Sequence, residues 1–323
     1  MEVEQMKWNT RVTELLDITY PVIQGGLAYL AYSNLAAAVS NAGGLGQLTA
    51  MSMDGPEHLK REIKMVREKT NRPFGVNFAI GQHGRPFEKM VQTAVDEHVP
   101  VVSVTGGNPQ GVLEALKGTG IKTLVLVAAR RQAVKAQELR ADAVMVVGHE
   151  GGGHLGRDDV GTLVLTPQVV DAVDIPVIAS GGIGDGRGLM AALSLGAEGV
   201  EMGTRFIATK ECTHAHPAYQ DALIKADETS TTVIKRSLKA PARALKNDWT
   251  TRILELEQEN AGYDGLRSYI SGEANKTFIY KGQAGQGFGW AGQIASRIHD
   301  VPTVEELFAR VIKEAEDIRT RWS

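Results

Sequence analysis

The run Gly148-His149-Glu150-Gly151-Gly152-Gly153-His154-Leu155-Gly156-Arg157-Asp158-Asp159 holds the residues best suited to move a proton. A histidine set between glycines has no neighbouring side chains to pack against and is a poor candidate for the core. An imidazole with a near-neutral pKa is the natural proton acceptor or donor for a small acidic substrate. His154 is the expected catalytic group of the two. The three glycines before it let the backbone approach a planar ligand, whereas His149 stands at the strand's end, one glycine after an apolar run. Glu150 gives a superficial likeness to the zinc motif HExxH, but the histidines are five residues apart rather than four. Three glycines also oppose the helix that motif requires, so no metal is expected. Cys212-Thr213-His214-Ala215-His216 is metal-like only in composition, lacks a second ligand cluster, and reads as a polar loop. There is no GxSxG nucleophile motif, and Cys212 has no evident activating partner.

A second chemistry is written in 176–206, PVIASGGIGDGRGLMAALSLGAEGVEMGTRF. A short apolar run at 176–179 meets a glycine turn at 180–186, then an amphipathic helix carrying Leu189, Met190, Ala192, Leu193 and Leu195. A second run, Gly199–Met202, ends in the turn Gly203-Thr204. Glycines leave backbone amides bare, and the helix that follows is expected to aim its positive end at the same spot. Both features suit a phosphate dianion, with Ser180 as a further ligand; tight turns without a ligand are the plain alternative. In β/α barrels the loops after the seventh and eighth strands are the usual phosphate clamp, and these two runs are numbered accordingly. With no metal or acid–base pair for hard chemistry, a phosphate-bearing cofactor is the expected actor.

The elements that must position these groups precede them. Short apolar runs at 20–24, 45–48, 74–79, 101–104, 123–127 and 143–147 alternate with helical patterns such as 56–69, where Leu59, Ile63 and Val66 recur at helical spacing. The runs are solidly apolar, as strands covered on both faces are. Eight β/α units in about 210 residues point to an α/β fold, a TIM (β/α)8 barrel near the lower size limit. The alternative, an open doubly wound sheet, lacks its GxGxxG turn after the first strand and an acidic residue placed for a ribose. After Phe206 the texture changes: 218–228 and 232–257 are charged and helical in pattern. The expected organisation is a barrel over 1–211, a C-terminal helical cap or insertion over 212–277, and a return segment over 278–323. The glycine-rich 282–292 would reach back to the barrel mouth, and a helix over 304–318 with Leu307, Val311 and Ala315 on one face would pack on the exterior.

Composition removes several classes of function. With 35 Lys plus Arg against 38 Asp plus Glu, a formal charge of −3, there is no nucleic-acid footprint. No apolar segment approaches the roughly 18 residues that span a bilayer. The polar, acidic N-terminal residues hold no apolar signal region, and the single cysteine cannot form an intrachain disulfide. A soluble cytoplasmic protein is expected.

Six motifs together resemble the nitronate monooxygenase (2-nitropropane dioxygenase) superfamily: TYPVIQGG at 19–26, NAGGLG at 41–46, RPFGVN at 72–77, EGGGHLG at 150–156, PVIASGGIGDGRG at 176–188 and MGTRFIATKEC at 202–212. That superfamily also holds NADH:quinone reductases and flavin-dependent type II enoyl-ACP reductases. The resemblance runs from about Thr10 to the C-terminus and implies a barrel with a helical cap and one non-covalent FMN. It implies that Gly26, Leu27, Ala28 and Asn77 line the flavin. Ser180, Gly181, Gly182, Gly203 and Thr204 hold its phosphate, Gly152 lies against it, and Gln293 closes the site. His154 matches the catalytic histidine of the nitronate-oxidising members. One position departs: where some members carry a flavin-contacting lysine on the fifth strand, this chain has Leu126. The leading expectation is oxidation of alkyl nitronates by dioxygen. The alternative is a reductase taking hydride from NAD(P)H to a quinone or an enoyl-ACP. For that last substrate, Lys235, Arg236, Lys239, Arg243 and Lys246 could face an acidic acyl carrier protein, or form a solvated helix face. A non-enzymatic flavin or phosphate-ligand sensor is the remote third reading.

Overall fold

Strands buried on both faces must find parallel neighbours, and in the computed structural model, which describes residues 8–81 and 86–322, eight of them do. In chain order they are β1 (Val22–Gln24), β2 (Gly46–Thr49), β3 (Phe74–Ala79), β4 (Val101–Thr105), β5 (Lys122–Val127) and β6 (Ala143–Val147). A two-residue strand, β7 (Gly153–His154), stands apart, and β8 (Val177–Ser180) and β9 (Gly199–Met202) complete the set. The sheet runs β1-β9-β8-β6-β5-β4-β3-β2, every pair parallel. A parallel bridge from Ile23 to Leu45 joins its two edges, with Leu45 N donating to Val22 O at 3.0 Å and Gln24 N to Leu45 O at 2.9 Å. This is the expected α/β barrel. The N-terminal residues 1–7 read above lie outside the described part.

Side chains alternate in and out along a strand, so each barrel strand contributes a short inward ladder. Near the strand starts that ladder is apolar. Ile23, Leu45, Val101, Leu124, Met145 and Ile178 form one buried cluster with Val12 and Leu16 of the helix Arg11–Leu16. Two residues further along, the inward positions turn polar: Gln47, Asn77, Ser103, Ser180 and Glu201, all buried. The outward ladder, including Val76 and Phe78, packs with Leu59, Ile63 and Val66 of the surrounding helix Pro56–Lys69.

Beyond Phe206 the expectation of helix over 232–257 is corrected. The segment begins as β10 (Thr231–Ile234), turns, and returns antiparallel as β11 (Ala242–Leu245); only Asp248–Gln258 is helical. The physical reason is local. Thr231-Thr232-Val233-Ile234 is a run of four β-branched residues, stiff at χ1 and suited to a pleated surface. The helix starts where Asn247 can cap it, its side chain accepting from Thr250 N at 2.8 Å. Helices Pro217–Ile224, Gly262–Leu266 and Gly272–Lys281 make up the rest of this lobe. The chain then returns, and the helix Val304–Trp322 buries Leu307, Val311 and Ala315 in the same core cluster as Leu189 and Ala192 of the helix Gly186–Ser194. Buried Arg205 fastens this return by donating to Asp300 O at 2.8 Å. None of the described helices is long and apolar enough to cross a membrane.

Ile178 is fully buried inside the barrel plug. Ile178→Ala is expected to lower unfolding stability by about 2–5 kcal/mol. A urea titration checks this; an unchanged midpoint at constant slope would refute the plug assignment.

Candidate active site

The strands' C-terminal ends open into a cavity of about 1320 Å³. Ordinary ligand sites run to roughly 300–1,000 Å³, so there is room for a tricyclic cofactor and a second molecule. Gly26, Leu27, Ala28, Asn77, Gly152, His154, Ser180, Gly181, Gly182, Gly203 and Thr204 all line it. Gln293 does not. Its side chain is exposed, and only its backbone N reaches the site's framework, donating to Glu150 O at 2.9 Å. The turn places the neighbouring Gly292 and Ile294 on the cavity wall instead.

The glycine turn after β8 has the shape of an anion cradle. Gly181 and Gly182 sit at φ +91° and +75°, in the left-handed region that L side chains rarely adopt. Gly152 serves a different need: an added Cβ would lie 2.6 Å from Gly292 N, so the β6 loop and the return segment meet backbone to backbone. The helix expected to aim its positive end at this turn begins with amides that are already taken. Gly186 N donates to Glu314 Oε2 at 2.8 Å and Gly188 N to Asp185 Oδ1 at 2.9 Å. The neighbouring helix Thr162–Val170 is capped likewise, with Thr162 N donating to Glu150 Oε2 at 2.8 Å. Both of these termini already carry carboxylates, whereas the short helix Thr204–Ile207, beginning at Gly203, has no side-chain cap. Thr204 is partly committed too, its Oγ1 accepting from Gly292 N at 2.9 Å.

The rest of the lining fits a planar amphipathic ring. Asn77 Nδ2 donates to Ser103 Oγ at 2.9 Å, which fixes the amide against Gly26. Thr49 Oγ1 and Asn275 Oδ1 belong to cavity-lining residues, are buried, and have no hydrogen-bond partner among the described residues. Such orphans are costly unless a ligand satisfies them. Leu27, Ile80 and Leu126 supply apolar wall. Glycine cradle, orphaned polar atoms and apolar faces together fit a flavin nucleotide.

The two histidines part company. His149 does not line the cavity; its Nδ1 lies 3.1 Å from Asp159 Oδ1, and burial, helped by Arg243, lowers its pKa. His154 is exposed to the cavity, and its Nε2 lies 2.7 Å from Lys235 Nζ. Trp290 flanks both, its ring centroid 5.6 Å from that of His154 and 5.6 Å from Lys235 Nζ. The backbone of His154 is held as a strand, since Gly153 and His154 pair antiparallel with Arg243 and Ala242. The place of Lys235 beside His154 was not foreseen, its expected role being a basic surface, and Trp290 was not singled out although 282–292 was expected near the mouth. The five basic residues do not share one solvated helix face. Lys235 and Arg243 are buried, and Arg236 pairs with Asp159 at 2.9 Å. Cys212 is buried, and desolvation pushes its thiol up to about 12, so it is no nucleophile.

Glu201 was also missed, though a carboxylate in the middle of an apolar strand was a visible signal. It points into the barrel, buried, its Oε1 3.0 Å from where a Cβ on Gly25 would stand. Desolvation pushes its pKa above the usual carboxylate range, with a hydrogen bond to Ser180 opposing. A carboxyl that holds its proton more tightly when folded contributes stability fully at low pH and loses it as pH rises through the raised pKa. Glu201→Gln is therefore expected to flatten the decline of unfolding free energy as pH rises above the usual carboxylate range. Urea titrations at a series of pH values above that range read the slope; one identical to the parent's would show that Glu201 does not titrate there.

Comparison with known proteins agrees with this geometry. The family model described as nitronate monooxygenase matches residues 9–85 and 79–314. A probable nitronate monooxygenase of Staphylococcus saprophyticus is 32% identical, covering 98% of this chain and 100% of that protein. The structure of FabK from Thermotoga maritima superposes with a TM-score of 0.91 at 38% identity, covering 97% of this chain and 98% of that one. A nitroalkane oxidase from Streptomyces ansochromogenes gives a TM-score of 0.82 at 30% identity, covering 97% and 100%. A non-enzymatic sensor is thereby set aside. The chain is a TIM-barrel oxidoreductase enzyme and belongs to the nitronate monooxygenase family, whose members are flavin-dependent.

Proposed function

We propose that this chain is an FMN-dependent oxidoreductase that oxidises alkyl nitronates with dioxygen. The observation that carries the reading is one cavity with a glycine cradle at one end and His154 on its wall. Gly181, Gly182 and Gly203 offer backbone amides to the phosphate, Ser180 and Thr204 their hydroxyls, and Gly152 lies alongside. Gly26, Leu27, Ala28 and Asn77 line the ring. Bound FMN supplies the electron-acceptor chemistry that no side chain here offers. Leu126, in place of a lysine, leaves the fifth strand without a positive charge at the ring. His154 either orients a nitronate anion by hydrogen bonding or takes the proton of a neutral nitroalkane. The wall of Leu27, Ile80 and Leu126 excludes water from the reacting atoms.

A second reading, a reductase passing hydride from NAD(P)H to a quinone or an enoyl thioester, is favoured by the cavity's size and by the likeness to FabK of Thermotoga maritima. A carrier protein has less to grip than the sequence suggested, because two of the five basic side chains are buried.

Mixing the FMN-loaded protein anaerobically with alkyl nitronate, and separately with NADH, distinguishes the two. Nitronate is expected to bleach the flavin absorbance; bleaching by NADH alone would overturn the first reading in favour of the second. His154→Ala should keep FMN and lose about 10²–10⁴-fold in kcat/KM for nitronate. Gly181→Val should fold, by circular dichroism, yet lose FMN on gel filtration; a yellow variant would move the phosphate elsewhere.

A further inference from the structure

We propose that Lys235 is a positioning residue for His154: it occupies Nε2, keeps the ring proton on Nδ1, and sets a fixed cation beside the ring, so that the pair receives an anion. The inference rests on His154 being the reacting group of the proposed site. Lys235 Nζ and His154 Nε2 are 2.7 Å apart. An ammonium has donors and no acceptor, so Nε2 must accept and Nδ1 must carry the proton. A cation at that distance also opposes formation of an imidazolium. The lone pair a general base would use is thereby already engaged. Of the two roles left open for His154, this selects orientation of an anion.

The lysine is built into place rather than left on the surface. Its backbone adopts φ +64°, a conformation ordinary side chains avoid. Glu257 Oε2 accepts from Lys235 N at 2.8 Å, and Trp290 covers the ammonium. The lowered pKa, about 8 and due first to desolvation with Glu257 opposing, leaves the group mostly charged at neutral pH. Of the charged neighbours on the surrounding elements, two are paired elsewhere and Glu257 acts on Lys235 as well as on Ser237. Arg236 pairs with Asp159, Arg243 donates to His149 O at 3.0 Å, and Glu257 Oε1 accepts from Ser237 N at 2.8 Å. Lys239, Arg157 and Asp158 line the same cavity.

The test compares Lys235→Met with Lys235→Arg in the FMN-loaded protein. Ring NMR of His154 is expected to titrate roughly one pH unit higher in Lys235→Met and to stay at the parent's midpoint in Lys235→Arg. With nitronate, Lys235→Met should raise KM roughly tenfold with kcat little changed. The parent's kcat/KM should fall as pH rises through about 8, where Lys235 discharges. Lys235→Arg, charged throughout, should lose that alkaline limb. A parent-like His154 titration in Lys235→Met would overturn the proposal. If nitronate were not the substrate, the NMR titration would still be read, so the two failures are separable. Should Lys235→Met fail to fold, an alkaline limb retained in Lys235→Arg overturns it equally.

Discussion

Everything at the cavity mouth depends on two backbone pairings, Ala242 with His154 and Arg243 with Gly153. Three consecutive glycines have no side chains to fix them and lose more conformational freedom on ordering than any other residues. The β6 loop cannot hold an imidazole in place by itself. It is held as the edge of a three-stranded sheet, β10-β11-β7, whose other two strands lie in the cap lobe. Leu155 N continues the clamp, donating to Pro241 O at 2.9 Å. A backbone thin enough to lie against a ligand is thereby made rigid from the side away from it. The same small sheet carries Lys235 one residue past β10, and Ala244 bridges to Trp290. One constraint places all three members of the His154 cluster.

The barrel poses the complementary problem of polar groups inside a closed sheet. Because side chains repeat every second residue, apolar inward positions at the strand starts and polar ones two residues later form two layers. The lower layer is the plug around Ile178 and Met145; the upper is the floor of the cavity, with Asn77, Ser103, Ser180 and Glu201. Desolvation favours the neutral form of the Glu201 carboxyl, which suits a floor close to a phosphate cradle. The starts of the helices Thr162–Val170 and Gly186–Ser194 are already met by Glu150, Asp185 and Glu314, whereas the short helix Thr204–Ile207 has no side-chain cap. At the β8 turn, selectivity for an anion therefore falls to turn geometry: Gly181 and Gly182 in left-handed conformations, with Ser180 beside them.

The barrel was legible because strand and helix periods, glycine turns and the absence of a dinucleotide fingerprint are local properties of the chain. The preference for His154 over His149 rests on a local feature too, three consecutive glycines before the one and a single glycine before the other. The cap was partly misread: its charged composition masked the β-branched run at 231–234, and charge says nothing about pleat. Gln293 sits in a turn adjacent to the site, but which residue of a tight turn faces inward is set by what the turn packs against.

By itself, then, the amino-acid order determined the layers of the barrel, the glycine turn after β8 and the glycine-rich loop after β6, because sterics and periodicity act over a few residues. Only the tertiary structure decided that Lys235 is buried against His154, that Glu314 takes the amide of Gly186, and that Glu201 faces inward where desolvation raises its pKa. Desolvation and pairing depend on groups 81 and 128 residues away, and no local rule reaches that far.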